Sequence, residues 1–371
     1  MFYFDSGART MQMEGCIIVT QARNSNPDHS LHNHRTNNPP PPPTMSSKIE
    51  KTIARQQEKI AEGQFYEAHQ QLRVIGTRYV KQANWEAAIN ILASGAQLLL
   101  QAGQGGSGGD LCLFLLDVYN KAETKPDAAA KAKLLGLLRS FPPEEPTKKR
   151  FIGEMIGWSA KFGEYPAGDP ELHHVAGTIL AEDGDAYDAE RHLTHGTRDS
   201  PEHLVKLEYE WFSEDDSHTA PLYAARAVLP YLVAGNVRAA NQCFLQFTTR
   251  LSQEHPSLGV QDVSGSSLDL RIYPSLPLLN FLGLLLLAVT RGTADLFRML
   301  KSHYKTHLDL VPGWNDALDQ IGEMYFGIRI PSQSNPLMDM MSSMFMGGGG
   351  GAGQKPKPRR VEAPAPAPGL D

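Results

Sequence analysis

Two stretches of this chain contain the residue types from which active sites are built. Residues 103–110, GQGGSGGD, have the glycine content of a phosphate-binding loop, but they lack its Lys-[Ser/Thr] ending and follow a helix rather than a strand. His192 and His195 lie three residues apart on a predicted helix, with His173-His174 nearby. A metal site needs three or four converging ligands, which this spacing does not supply. We therefore interpret the glycine stretch as a turn between helices and the histidines as solvated or satisfied within the core.

The rest of the sequence has no signature of an enzyme either. It contains no HExxH motif and no strand-to-helix nucleophile elbow. Cys16, Cys112 and Cys243 form no CxxC pair, which fits a reducing compartment. An excess of acidic residues, 41 against 35 basic, disfavours nucleic acid as the main partner. We predict a protein that is not an enzyme and has no cofactor or metal; an all-helical active site around the histidines and Asp110 is the alternative.

The first predicted helix has a stripe of basic residues. These residues are Lys48, Lys51, Arg55 and Lys59. Their spacing puts them on one face, about 120° from the isoleucines that face the core. The face could simply be solvated, or it could dock an acidic surface on a partner. Arg78 and Lys81, on the outer side of the next predicted helix, favour the docking interpretation.

Residues 62–82 predict a helix with two different faces. Five residues of the buried stripe recur at intervals of three and four: Phe65, Ala68, Leu72, Ile75 and Tyr79. Arg78 and Lys81 lie outside this stripe because a charge is costly to bury. Tyr66, His69 and Arg73 lie between the two faces, where packing and partner contact both fit.

The region from Lys48 to about Gly327 is almost entirely helical in pattern. Segments of about 12–20 residues, each with one apolar stripe, are separated by Gly, Pro or Asn. Short connections favour antiparallel pairs, and stacked pairs form an α-solenoid. Several segments start like tetratricopeptide (TPR) helices, but the full repeat never completes. The predicted fold class is therefore all-α, an irregular TPR-like α-solenoid of antiparallel helix pairs over residues 45–331.

A β-hairpin is predicted at residues 256–273, because apolar and polar residues alternate after a Ser-Gly turn. The apolar run 276–289 that follows is too short to span a bilayer. It either fills the core of the last repeats or faces a permanent partner, since a terminal repeat normally presents a polar cap. The second interpretation makes the following residues a partner interface: Leu268, Leu270, Ile272, Leu276, Leu279, Phe281, Leu282 and Leu285.

The two ends of the chain differ in composition from the helical region. Residues 1–44 end in five prolines and are predicted to be extended or disordered. Met45 then opens an ordinary protein start with a serine cap, so we expect residues 1–44 to be either an upstream extension or a gene-model artefact. Residues 332–371, rich in Met, Gly and Pro, are also predicted to be disordered. We find no secretory signal and expect a cytosolic protein.

Several motifs, in collinear order, are similar to those of one known family. They are EGQFYEAHQQLRVIGTRYVKQANWEAAINIL at 62–92, QGGSGGDL at 104–111, FGEYPAGDPELHH at 162–174, YDAERHLTHGTRDSPE at 187–202, SHYKTHLDL at 302–310 and NPLMDMMSSMF at 335–345. Over about residues 48–346 the chain resembles the Get-four/TRC subunit family, in its fungal type. Members are cytosolic α-solenoid adaptors in the guided entry pathway of tail-anchored proteins.

The resemblance implies an adaptor that bridges two partners. The N-terminal half, residues 45–165, would dock the dimeric P-loop targeting ATPase of the pathway. The C-terminal half, residues 166–331 with the hairpin, would hold a ubiquitin-like-domain protein, through which chaperones and an SGT-type co-chaperone bring the client. Neither nucleic acid nor membrane insertion is implied. Carried over to this sequence, the ATPase-docking face comprises Lys51, Arg55, Lys59, Arg78, Lys81 and Asp110.

A second class of function stays open at this point. A generic TPR-like co-chaperone that clamps acidic peptide tails would also be an all-α solenoid. It needs a basic groove shared by several repeats, whereas the basic residues here cluster on the first two helices.

Overall fold

The structure is a computed structural model that describes residues 45–263 and 271–329, with side chains from residue 48 onward. These residues form fifteen α-helices, three short 3₁₀ turns and one pair of short strands. The predicted all-α class with one β-hairpin near the C-terminal end is therefore confirmed. The expectations for residues 1–44 and 332–371 lie outside the described residues.

The helices follow one another with short connections. Their bounds are α1 Met45–Ala61, α2 Phe65–Lys81, α3 Trp85–Gln101, α4 Gly105–Lys121, α5 Ala128–Arg139, α6 Pro146–Phe162, α7 Pro170–Glu182, α8 Ala186–Thr194, α9 Ser200–Phe212, α10 Ala220–Val233, α11 Val237–Glu254, α12 Pro277–Arg291, α13 Ala294–His303, α14 Lys305–Leu308 and α15 Asn315–Phe326. From α2 onward most helices pack against the next helix, and several also pack against the next but one, as in α4 with α6. This is the contact pattern of a helical solenoid.

The turns between paired helices place one residue in the left-handed region. Gly63 has φ 79° between α1 and α2, and Gly103 has φ 74° between α3 and α4. Glycine adopts this conformation without a Cβ clash. Ala83 stands at the same place between α2 and α3 with φ 52°, which costs an alanine about 1 kcal/mol.

The apolar core divides into two clusters. The first extends from Ile49 to Ala189 and the second from Leu193 to Ile321, and Leu207 packs against both. The two clusters meet within α8. The predicted boundary between the two functional halves, at residues 165–166, does not coincide with this division of the core. It stays a prediction.

The glycine stretch is part of a helix, contrary to the predicted interhelical turn. α4 already begins at Gly105, because the start of α6 packs against its first two turns. A Cβ on Gly105 would meet the Glu145 carboxylate, and one on Gly109 would lie 2.2 Å from Thr147 Oγ1. The absence of side chains lets α4 and α6 approach closely. The glycines thus allow close packing of the two helices. The turn was predicted wrongly because glycine has a low helix propensity.

The hairpin is short and fixed to the helices beside it. β1 Gln261–Asp262 pairs antiparallel with β2 Arg271–Ile272. Tyr273 follows β2 and is buried, and its hydroxyl donates to the Thr248 carbonyl of α11 at 3.1 Å. The Asn280 side chain of α12 accepts from the Tyr273 N–H at 2.8 Å and donates to its carbonyl at 2.9 Å. These bonds explain how such a small sheet is held in place.

We predict that Gly109→Ala lowers the free energy of unfolding by about 1–3 kcal/mol, because the new methyl group overpacks the α4–α6 contact. Gly106→Ala is the matched control. A Cβ there meets nothing within 4 Å, and alanine favours the helix by up to about 1 kcal/mol. Urea denaturation of both variants measures the difference. Equal effects would contradict the packing role of the glycine stretch.

Candidate functional site

The exposed side of α2, here called the α2 outer face, is the first candidate site. Its residues recur mainly at intervals of three and four: Tyr66, Gln70, Arg73, Val74, Thr77, Arg78 and Lys81. All except Tyr66 line a surface depression of about 440 Å³. The opposite stripe of α2, with Ala68, Leu72 and Tyr79, is buried in the first core cluster as the sequence predicts.

Two large apolar side chains stand exposed among the polar residues of this face. Tyr66 is 70% exposed and Val74 is 68% exposed. Arg78 lies beside them with its guanidinium carbon 5.5 Å from the centroid of the Tyr79 ring. An exposed aromatic residue with arginine and lysine around it has the composition of a protein interface, in which tyrosine and arginine are enriched.

The basic stripe of α1 adjoins the α2 outer face. Gln56 lies between the isoleucines and the basic stripe of α1, is buried, and donates from Nε2 to Gln71 Oε1 at 3.1 Å. Gln71 lies at the border between the buried stripe and the outer face of α2. The bond therefore puts both faces on the same side of the helix pair. On that side Lys51 and Arg55 are exposed and Lys59 is partly buried.

Asp110 of α4 is held by two residues of α2. Arg73 Nη1 donates to its two carboxylate oxygens at 2.6 and 2.5 Å, and His69 Nε2 lies 2.8 Å from Oδ2. Burial alone would raise the pKa of the carboxyl, but the hydrogen bonds from His69 and Arg73 outweigh it and lower the pKa of Asp110 below its usual value. The carboxylate is thus charged and oriented by its own chain.

The structure brings most of the predicted N-terminal residues to one surface but gives them different roles. Tyr66 is exposed on the outer face, His69 is largely buried against Asp110, and Arg73 is exposed while bonded to the same carboxylate. Asp110 lies at the edge of the face, tied to α2. Gln70 shares this exposed side with Arg78 and Lys81, as the sequence predicts, whereas Val74 and Thr77 were not predicted, although their spacing from Tyr66 and Lys81 indicates the same face.

The predicted C-terminal interface needs a correction. Five of its residues are at most 2% exposed and fill the second core cluster: Leu276, Leu279, Phe281, Leu282 and Leu285. They cannot form a partner surface in this structure, because α10, α11 and α13 all pack against α12 and cover them. Ile272 is partly buried, and Leu268 and Leu270 lie outside the described residues.

The apolar surface at this end lies on another side of α12. We call it the α12–α13 groove; it has a volume of about 500 Å³, and its lining includes Leu284, Leu287, Arg291, Leu296, Met299 and Leu300. Met299 is 63% exposed and Leu296 41% exposed. The sequence of α12 is unusually apolar, but leucines on every side of a helix do not reveal which side the neighbouring helices leave uncovered.

The two interpretations of the histidines apply to different residues: His173 and His192 are buried and satisfied within the core, His174 is partly buried, and His195 is exposed. His173 Nε2 donates to the Ala167 carbonyl at 3.0 Å. Its Nδ1 then accepts from His192 Nδ1–H at 3.0 Å. In the part of the chain that the structure describes, no group of three or more His, Cys, Asp or Glu residues could hold a metal ion. No helix among these residues is both long and apolar enough to cross a membrane.

We predict that acidification destabilises the fold through this histidine pair. Burial, and then the charge of His173, lower the pKa of His192 from 6.5 to about 4. As the pH falls below 6.5 the unfolded chain binds this proton first, so the free energy of unfolding declines until the pH reaches about 4. The loss from His192 is at most about 3 kcal/mol.

Urea denaturation between pH 7.5 and 4.5 measures this loss. His192→Gln should flatten the pH dependence more than His218→Gln, which removes an exposed histidine. A pH dependence that is identical in both variants would contradict the assignment of this loss of stability to His192.

Comparison with known proteins places the chain in a family. The sequence profile of the family "Golgi to ER traffic protein 4" matches residues 82–345. Golgi to ER traffic protein 4 of Aspergillus fumigatus is 58% identical over 317 residues, which cover 82% of this chain and 92% of the relative. The protein of the same name from Schizosaccharomyces pombe is 34% identical, with 78% and 95% covered. The human homolog is 28% identical, with 77% and 82% covered.

A solved structure agrees with these relatives. The crystal structure of C. therm. Get4 is 56% identical in sequence and superposes with a TM-score of 0.73, covering 85% of this chain and all of that one. The family profile spans most of the chain and starts just after α2. The fungal relatives fit the resemblance indicated by the sequence motifs. This chain belongs to the Golgi to ER traffic protein 4 family.

Proposed function

We propose that this chain is a cytosolic adaptor that bridges two partners in the targeting of tail-anchored membrane proteins to the endoplasmic reticulum. The α2 outer face with the basic stripe of α1 docks a dimeric P-loop targeting ATPase. The C-terminal helices hold a ubiquitin-like-domain protein, which brings chaperones and an SGT-type co-chaperone with the client. Family membership supports a role in traffic at the endoplasmic reticulum, and the rest of the proposal depends on the two surfaces.

The observation that carries the proposal is the composition of the α2 outer face. Tyr66 and Val74 are exposed although a folded monomer gains nothing from their exposure. Arg78 and Lys81 lie beside them, and the basic stripe of α1 extends the positive surface. Such a face fits an acidic partner surface with an apolar centre, where the apolar contacts supply affinity and the charges speed association.

Asp110 extends the docking face in a more specific way. Its carboxylate is charged, partly exposed and held in position by Arg73 and His69. A basic group of the ATPase could approach it without reorganising either helix. The residue therefore acts as a preorganised contact at the border of the face.

The α12–α13 groove supports the second half of the proposal. It combines exposed leucine and methionine side chains at the other end of the described chain. Apolar surfaces of this kind are typical of long-lived complexes. Two partners held on one scaffold have a high effective concentration towards each other, so a client can pass between them without any chemistry in the adaptor.

We predict that Arg78→Glu/Lys81→Glu weakens ATPase binding by about 10–100-fold at low salt, with a smaller effect at high salt, because the charges act across a solvated interface. Binding of the ubiquitin-like protein should be unchanged. Isothermal calorimetry with each purified partner measures both affinities.

Lys133→Glu/Arg139→Glu is the matched control for this variant. Both residues are exposed on α5, the net charge changes equally, and Arg139, like Lys81, lies in the last turn of its helix. If the control weakens the ATPase complex as much as the test variant, net charge rather than the α2 outer face governs binding. Preferential binding of acidic C-terminal peptides would instead favour a peptide-clamping co-chaperone.

We predict the converse for the other end of the chain. Leu296→Asp should weaken binding of the ubiquitin-like protein by at least about tenfold, because it puts a charge in an apolar contact. ATPase binding should be unaffected. Leu222→Asp is the control, since Leu222 is 40% exposed on α10 and Leu296 is 41% exposed. Equal losses in the two variants would contradict a binding role for the groove.

A further inference from the structure

The α12–α13 groove is a surface recess lined mainly by apolar side chains. Leu296 and Met299 stand exposed along one side of it, and Leu284 and Leu287 line the other. A protein without its partner exposes this surface to water at a cost of roughly 25 cal/mol per Å² of apolar area. A cover for the groove would therefore stabilise the free chain.

The described chain ends beside the groove. Phe326, at the end of α15, stacks on Phe297 of α13 with ring centroids 4.7 Å apart. Ile328 follows and packs into the second core cluster. Phe297 is the direct sequence neighbour of Leu296, which lines the groove. The described chain thus ends next to the helix that forms one wall of the recess, and residues 330–371 follow it in the sequence.

The first part of this segment has the sequence pattern of an amphipathic helix. Leu337, Met340, Met341 and Met344 recur at intervals that place them on one helical face. Asn335-Pro336 is a helix start signal and the glycine run from residue 347 is a stop signal. Anchors at i, i+3, i+4 and i+7 are the pattern with which a helix binds in an apolar groove, and methionine adapts well to such surfaces.

The connection is long enough for the segment to reach the groove. Residues 330–335 span up to about 20 Å when extended. This length matches a path halfway around one helix, which with its side chains is about 10–12 Å wide. Asp339 is the one charged residue between 335 and 346, and on such a helix it would lie on the side opposite the four anchors, which suits a solvent-facing position.

We propose that residues 336–346 of this chain bind as a helix in the α12–α13 groove when no partner occupies it. The segment is tethered, so its effective concentration at the groove is in the millimolar range and even a weak contact is populated. It follows that the ubiquitin-like protein must displace the segment. This last consequence depends on the proposed function, whereas the intramolecular contact does not.

Methyl NMR of the full chain with ¹³C-methyl methionine tests the contact directly. We expect nuclear Overhauser effects between the methyl group of Met299 and one or more of Met340, Met341 and Met344. Replacing these three by serine in the full chain should shift the Met299 resonance. The methyl group of Met324, 53% exposed on α15 and not in the groove lining, should not shift.

Two results would overturn the proposal. One is a Met299 resonance that is the same in the wild-type chain and in the triple serine variant, with no Overhauser effects to Met340, Met341 or Met344 in the dilute wild-type chain. The other is a Met299 shift that depends on protein concentration, since a second copy would then be the occupant. For the ubiquitin-like protein, the triple serine variant should bind about tenfold more tightly if the segment occupies the groove nine-tenths of the time. If the Overhauser effects appear but that protein does not bind, the proposed function fails and the contact stands.

Discussion

The structure depends on one constraint, which is that each helix has an apolar stripe that only its neighbours can bury. From α2 onward most stripes close on the next helix or the next but one, and the left-handed turns at Gly63 and Gly103 keep the connections short. Where close approach is needed, as between α4 and α6, side chains are missing at Gly105 and Gly109. The same constraint explains why uncovered surfaces at the two ends are informative: there the stripe pattern leaves apolar residues that the helices of the described chain do not bury.

These uncovered surfaces differ in chemistry, as two distinct partners would require. The α2 outer face combines Tyr66 and Val74 with positive charge and an oriented carboxylate at Asp110. The α12–α13 groove is almost wholly apolar, with Arg291 as its charged residue among those that line it. A charged face suits an encounter that forms and dissociates during a cycle, and an apolar groove suits a stable complex. The division fits an adaptor with one exchanging and one resident partner.

Much of this could be predicted from the sequence, because helix periodicity is a local signal. The two faces of residues 62–82, the breaks at Gly, Pro and Asn, and the hairpin before α12 all follow from patterns within a few residues. The start of α4 could not be predicted, since four glycines in five residues disfavour a helix locally, whereas the contacts of Gly105 and Gly109 with Glu145 and Thr147 come from a part of the chain far along the sequence. Likewise, the sequence shows that α12 is apolar throughout, but Leu282 is buried and Leu284 lines the groove solely because of where α10, α11 and α13 pack.

The central claim is that one chain holds both partners at the same time. Native mass spectrometry of the full chain mixed with the purified ATPase dimer, its nucleotide and the ubiquitin-like protein tests it most directly. We expect a single species that contains all three proteins and loses only the ATPase when the salt concentration is raised, because salt screens the charged face more than the apolar one. Complexes that contain either the ATPase or the ubiquitin-like protein, and never both, would contradict the account.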